Sequence, residues 1–143
     1  MKYTVHFVKD REEEVIVYAH APSSLTEEIG RLCQADAPEL MGYREEEACR
    51  LDIRRVCCFS VEESKVWAHT MDGTYRIKLR LYQLEEMYPK DFVKINQSCL
   101  ANVRRIRKFG TSFGGSLTVT FENGQQDYVS RRNMKTIKER FGL

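Results

Sequence analysis

The chain has 143 residues, 42% of them hydrophobic and 31% charged, with a formal net charge of +2. This length suits one compact domain, or one with a short extension, and the composition excludes a disordered chain. No stretch approaches the roughly 18 apolar residues of a membrane span, and the start, MKYTVHFVKDREEE, lacks the apolar core and cleavage site of a signal peptide, so a cytoplasmic protein is expected.

The first segment reads strand, strand, helix. YTVHFV alternates, EEEVIVYAHA follows the charged turn KDRE, and Pro22 breaks the second run. Ser24 to Glu27 match an S-x-x-E capping box, and Leu25, Ile29, Leu32 and Cys33 share one helical face. QADAPELMG is the expected connector, which makes residues 1–45 a short acidic segment ahead of a domain over 46–143.

Beyond the connector the pattern is one of many short strands. ACRLDIRRVCCFSVEES precedes KVWAHTMDGTYRIKLR, where Asp72-Gly73 between two alternating runs predicts a hairpin with a type I′ turn. LYQLEEMYP reads as a short helix with Leu81, Leu84, Met87 and Tyr88 on one face, stopped by Pro89. The next stretch, FVKINQSCLANVRRI, threads Lys94, Asn96, Gln97, Ser98 and Asn102 between apolar Phe92, Val93, Ile95, Leu100, Val103 and Ile106. Consecutive polar residues cannot all face one side of a strand, so FVKI is expected to run into a loop or tight turn.

GTSFGGS reads as a loop, and LTVTFENGQQDYVS as a second hairpin turning at Asn123-Gly124. The final SRRNMKTIKERFGL is a helix with Ser130 as N-cap, Met134, Ile137 and Phe141 on one face, and Gly142 at its end. No internal repeat is evident. The domain is expected to be mainly β with short helices.

Catalytic chemistry is not indicated. His6, His20 and His69 each lie in β-patterned runs, and for His69 an exposed or partly packed side chain is expected rather than a catalytic base. No G-x-S-x-G, P-loop or Rossmann glycine pattern appears. The cysteines, Cys33, Cys49, Cys57, Cys58 and Cys99, form no C-x-x-C pair and, with the histidines, no zinc-ligand spacing. Adjacent Cys57 and Cys58 would face opposite sides of a strand, so reduced structural thiols are expected. No enzyme activity, cofactor or metal is therefore expected.

Cations and amides concentrate in two places. Residues 1–50 hold 6 Lys/Arg against 11 Asp/Glu, whereas residues 51–143 hold 17 against 10. A basic C-terminal portion is a footprint for nucleic acid, or an ordinary solvated surface. The first cluster is Lys94, Asn96, Gln97 and Ser98; the second is Ser130 to Asn133. Arg131 and Arg132 fall at the positive end of a helix, where cations are unfavourable. A docked polyanion would reverse that, because orphan N–H groups and guanidiniums both favour phosphate oxygens. Arg also reads guanine edges, and Asn or Gln adenine. Plain helix caps and an exposed polar rim are the alternative.

FVKINQSCLANVRRI, followed by a hairpin and YVSRRNMKTIK, resembles the signature of the LytTR family of bacterial DNA-binding domains. Phe92, Val93, Lys94, Ser98, Asn102 and Ile106 match the first element, Val129, Ser130 and Arg131 the second, and YRIKLRLYQLEEMYP fits the family's hairpin-then-helix element. The resemblance covers about residues 50–143. It implies an elongated β fold of three small antiparallel sheets with short helices, whose loops enter successive major grooves of bent DNA. Carried over by position, the DNA contacts are Ser64 and Lys65, then Lys94, Asn96, Gln97 and Ser98, then Arg131, Arg132 and Asn133. Many members carry His in place of Asn96, and often Arg or Asn in place of Gln97, which leaves the target sequence open.

The resemblance implies a sequence-specific, double-stranded-DNA-binding transcriptional regulator. Residues 1–45 resemble the leader of stand-alone members, which lack a receiver domain. The helix of this leader would form a dimer contact or pack on the β domain. Homodimers on repeated half-sites, and a small membrane protein as regulatory partner, are further implications. The alternative is a protein-interaction module on the same scaffold. Single-stranded RNA binding would require clustered exposed aromatics, for which Tyr75, Tyr82 and Phe113 are the candidates.

Overall fold

The computed structural model describes residues 1–33, 39–111 and 114–143. It divides into two compact units, Met1–Ala37 and Pro38–Leu143. In the first unit, α1 spans Ser24–Cys33. Its start is one residue earlier in register than expected. Ser23 and Thr26 cap reciprocally, Thr26 N–H donating to Ser23 Oγ at 3.2 Å and Ser23 N–H to Thr26 Oγ1 at 2.9 Å. The two expected strands do not form: residues 1–22 carry no ladder, and Tyr3, Phe7, Val15, Ile16 and Tyr18 are exposed. A two-stranded ribbon lacking a third strand or a helix to cover it is marginal in water.

Ahead of residue 46, Leu40–Arg44 belong to the sheet of the second unit. Strands β1 (Leu40–Arg44) and β2 (Glu47–Leu51) pair from Leu40↔Leu51 to Arg44↔Glu47, and Tyr43 pairs with Arg76. Gly42 permits this packing: a Cβ there would stand 2.6 Å from Leu51 Cδ1 and 2.8 Å from Tyr75 Cβ. Of the expected connector, residues 34–38 lie outside the described residues.

The remaining elements follow in order. They are β3 (Val56–Glu62), β4 (Lys65–Thr70), β5 (Thr74–Ile77), α2 (Leu81–Met87), β6 (Phe92–Asn96) and β7 (Cys99–Asn102). Then come β8 (Ile106–Thr111), β9 (Leu117–Phe121), β10 (Gln126–Val129) and α3 (Arg131–Phe141). The described residues form two antiparallel sheets, not three. One has seven strands in the order β2-β1-β5-β4-β3-β7-β6, the other three in the order β10-β9-β8. The β3–β7 ladder, Cys58↔Ala101 to Ser60↔Cys99, joins two of the expected small sheets into one.

Positive backbone φ falls where no glycine signals it. Glu45 and Glu46 have φ of 51° and 66°, and Glu63 and Ser64 have 52° and 64°, the paired left-handed residues of tight hairpin turns. At Asp72-Gly73 only the glycine is positive, at 147°. That turn is held by side chains: Thr70 Oγ1 accepts the Asp72 N–H at 3.0 Å, and Arg55 grips the Asp72 carboxylate with two bonds of 2.8 Å.

Two lengths of chain fold alike, a repeat too short in sequence to stand out. Asp52 caps a 3-10 turn at Ile53–Arg55 and Asn102 one at Val103–Arg105, each side chain accepting an N–H, from Arg54 and Arg104 respectively, at 3.0 Å. The Arg55 carbonyl then accepts from Met71 N–H at 3.0 Å and the Arg105 carbonyl from Glu122 N–H at 2.9 Å. Three consecutive strands and a helix follow each turn. Asn102 also donates to the Val56 carbonyl at 2.8 Å, so it fastens one repeat to the other.

Helices α2 and α3 each pack on a core of their own. Under α2 lie Phe59, Leu84, Tyr88, Phe92 and Leu100; with α3 go Ile95, Val119, Phe121, Val129 and Ile137. The expected separation of Cys57 and Cys58 fails because β3 is irregular between Val56 and Cys58, which puts both buried thiols in the second core. Burial pushes the Cys57 thiol up, and a Cys58 hydrogen bond with burial pushes Cys99 up, so both stay protonated.

His69 is only 8% exposed, with Nε2 2.6 Å from Ser60 Oγ. Desolvation holds its pKa below the ordinary 6.5, against weaker opposing pulls from Glu62 and Asp127. As pH falls below that value the unfolded chain takes up a proton that the native state resists, so stability declines until the lowered native pKa is passed. Urea denaturation on either side of pH 6.5 is expected to show this decline, and His69→Gln to flatten it; an unchanged slope in the variant would assign it to other groups.

Candidate nucleic-acid interface

Three turns converge at one end of β3. The middle one is Gln97-Ser98, between β6 and β7, where Lys94, Gln97 and Ser98 are exposed. The Ser98 carbonyl accepts the Val61 N–H at 2.9 Å, which sets this turn beside the end of β3 and hence beside the Glu63-Ser64 turn. On the other flank the Ser130 N–H donates to the Ile95 carbonyl at 2.8 Å, which sets the start of α3. Backbone bonds thus gather Ser64 and Lys65, Lys94, Gln97 and Ser98, and Arg131, Arg132 and Asn133, although these residues span about half the chain.

Asn96 departs from expectation. It is 2% exposed and makes every bond inward. Its Oδ1 accepts the Ser98 N–H at 2.8 Å, and its Nδ2 donates to Asp127 Oδ1 at 2.9 Å and to the Tyr128 carbonyl at 2.8 Å. The cause is an irregularity in the β6–β7 ladder between Lys94 and Asn96, which buries Asn96 together with Ile95 where strict alternation would have kept it beside Lys94. Asn133 is half-buried and donates to Ser130 Oγ at 2.8 Å, within the cap of α3. Asp127 and Tyr128 were not anticipated, and no local pattern marks them, because their partner lies 31 and 32 residues away.

The charges at this end differ from those at the other. At the far end of β3, Arg54, Arg55 and Arg105 are paired with Asp52, Asp72 and Glu122 at 2.9, 2.8 and 2.7 Å. Among the described residues Arg131 and Arg132 are exposed and enter no ion pair. The first turn of α3 has no acidic residue, and Ser130 makes no side-chain cap bond. Orphan N–H groups and two guanidiniums therefore face solvent together, an arrangement that favours an anion.

Exposed aromatics do not form a stacking platform among the described residues. Tyr75 lies under Arg44, 4.8 Å from its ring centroid, Tyr82 is on α2, and Phe113 lies outside the described residues. No helix among the described residues is long and apolar enough to cross a membrane.

Comparison with known proteins bears on the family and the fold. An uncharacterized HTH-type transcriptional regulator of Staphylococcus aureus (strain MW2) is 29% identical over 142 residues, 96% of each chain. A similarly named protein of a bovine strain is 30% identical over 142 residues, again 96% of each. A solved LytTr DNA-binding domain of a methyl-accepting/DNA response regulator from Bacillus cereus shares the fold, with a TM-score of 0.68 and 18% identity over 73% of this chain and 97% of that one. Residues 46–142 match the family model of the LytTr DNA-binding domain, and the chain belongs to that family.

Proposed function

We propose that the protein is a bacterial transcriptional regulator that reads double-stranded DNA with these three turns, in the major groove. The observation that carries this reading is the convergence of exposed Ser64, Lys65, Lys94, Gln97, Ser98, Arg131 and Arg132 on turns tied together by backbone bonds. Gln97 and Arg132 are the base readers, since both side chains offer bidentate hydrogen bonding to base edges. Lys65, Lys94 and Arg131 meet phosphates, which fix register without reading sequence. Asn133 supports from the cap, and Asn96 from below the surface.

Selection of bound fragments from the source genome, followed by an electrophoretic shift at moderate salt, tests the reading. A preferred duplex is expected, and equal retention of all fragments defeats it. Lys65→Ala is expected to weaken all duplexes alike and to lower the slope of log affinity against log salt by about 1. A change confined to the preferred duplex would instead make Lys65 a base reader.

The protein acts in the cytoplasm, by binding rather than by catalysis. It acts as a homodimer on repeated half-sites, through residues 1–33. Support comes from the exposure there of Tyr3, Phe7 and Tyr18, at 89%, 96% and 94%, and from the unburied α1 face. A regulatory membrane-protein partner rests on the family resemblance alone.

A further inference from the structure

We infer that Asn96 is a positioning residue: through Asp127 and Tyr128 it locks the Gln97-Ser98 turn to the strand that leads into α3, so the two base-reading turns hold one spacing. This rests on the DNA-binding reading above. An Asx turn alone needs only the bond from Ser98 N–H to Asn96 Oδ1, at 2.8 Å. The remaining bonds reach across the fold, to Asp127 Oδ1 at 2.9 Å and to the Tyr128 carbonyl at 2.8 Å. Both acceptors lie just before Arg131 and Arg132 in the chain.

Asp127 itself supports the inference. A carboxylate so near the contact turns opposes phosphates and gives nothing to affinity by charge. Its donors here are the Asn96 amide at 2.9 Å and the Tyr128 N–H at 2.8 Å. Asn96 immediately precedes the Gln97-Ser98 turn, so Asp127 is fastened to the start of that turn. The other ties between the segments are one backbone bond, Ser130 N–H to the Ile95 carbonyl at 2.8 Å, and the apolar packing of Ile95, Val129 and Ile137 in one core. The Asn96 bonds add a directional polar link to that packing, and so fix the register of the turn against the strand.

Because Asn96 is buried and its side-chain bonds all point inward, it does not touch DNA, and its effect is expected on discrimination. With the full chain and duplexes of equal length, Asn96→Ala is expected to lower affinity for the selected operator on the order of tenfold. Affinity for an unrelated duplex should stay within roughly twofold, with the variant still folded by circular dichroism. Asn96→Asp alone sets two carboxylates together and should lose at least as much, while Asn96→Asp combined with Asp127→Asn restores that one bond, leaves the Tyr128 carbonyl without its donor, and should recover part of the loss.

A measurement independent of folding uses the surface pair Gln97→Ala and Arg132→Ala. Their losses in operator affinity should be non-additive by several-fold if the turns act as one body. Additive losses, an Asn96→Ala variant that discriminates as the parent does, or an equal loss on both duplexes would each overturn the inference. Failure of the parent chain to prefer any duplex would overturn the DNA-reading proposal instead, and the two failures are told apart by that control.

Discussion

Arg132→Ala is expected to lower affinity for the selected operator by about 1–3 kcal/mol, roughly 5- to 150-fold, and to relax the base preference at one position of the site. Arg132 is exposed and free of ion pairs among the described residues, so its guanidinium is available without breaking a native contact. Its backbone is held firmly. On α3 Ile137 is fully buried and Phe141 packs on Phe109 with ring centroids 4.9 Å apart, and the αL Gly142 closes the C-terminus. A planar donor on a fixed helix start loses little freedom on binding, which favours a specific contact over a diffuse one.

The same position predicts what the substitution leaves unchanged. A cation in the first turn of a helix is mildly unfavourable, so its removal is expected to leave stability equal or raised by a few tenths of a kcal/mol. Fluorescence anisotropy with operator and unrelated duplexes, set beside urea denaturation of the same variant, checks both halves. Equal affinity of parent and variant for the operator would remove Arg132 from the reading surface.

Phe59→Ala is expected to destabilise the domain by about 3–5 kcal/mol, the range for truncating a fully buried aromatic. Phe59 is 0% exposed and central on β3, flanked in register by Ala68 on β4 and Leu100 on β7. Its ring lies 5.1 Å from that of Phe92, which in turn lies 6.0 Å from Tyr88. Small Ala68 cannot fill the space, and the neighbouring strands are held in place by their ladders, so a cavity should persist. Since small domains have only about 5–15 kcal/mol of stability in total, this is a large share. The urea midpoint is expected to fall with its slope unchanged; a shift worth under about 1 kcal/mol would mean that the core collapses onto the gap.

The elements with complete local signals were legible before the fold was known. LYQLEEMYP holds an apolar stripe and its own stop, and SRRNMKTIKERFGL a cap, a stripe and a terminal glycine; both are helices, α2 and α3. Asn123-Gly124 turns a hairpin as read, with Gly124 at φ 89°. Asn102, matched in sequence to the family motif, anchors its turn through the Arg104 N–H and the Val56 carbonyl. Segments that need a partner were not legible. Alternation in YTVHFV and EEEVIVYAHA shows that a strand could form, but not that anything is there to cover it. The shared Asp52 and Asn102 turns escaped notice because only a few residues carry the repeat.

The sequence by itself determined the fold class, the family motifs and the presence of unpaired-looking cations beside Ser130, since these depend on local periodicity and residue type. Which polar residues face outward was decided only in three dimensions. A ladder irregularity at Lys94/Asn96 turns Asn96 inward while Gln97 and Ser98 stay exposed, and left-handed Glu63-Ser64 lifts Ser64 to the surface without a glycine to announce it. The bonds that fix those choices join residues more than thirty positions apart, from Asn96 to Asp127 and Tyr128 and from Ser130 to Ile95, so no window of local sequence contains both partners.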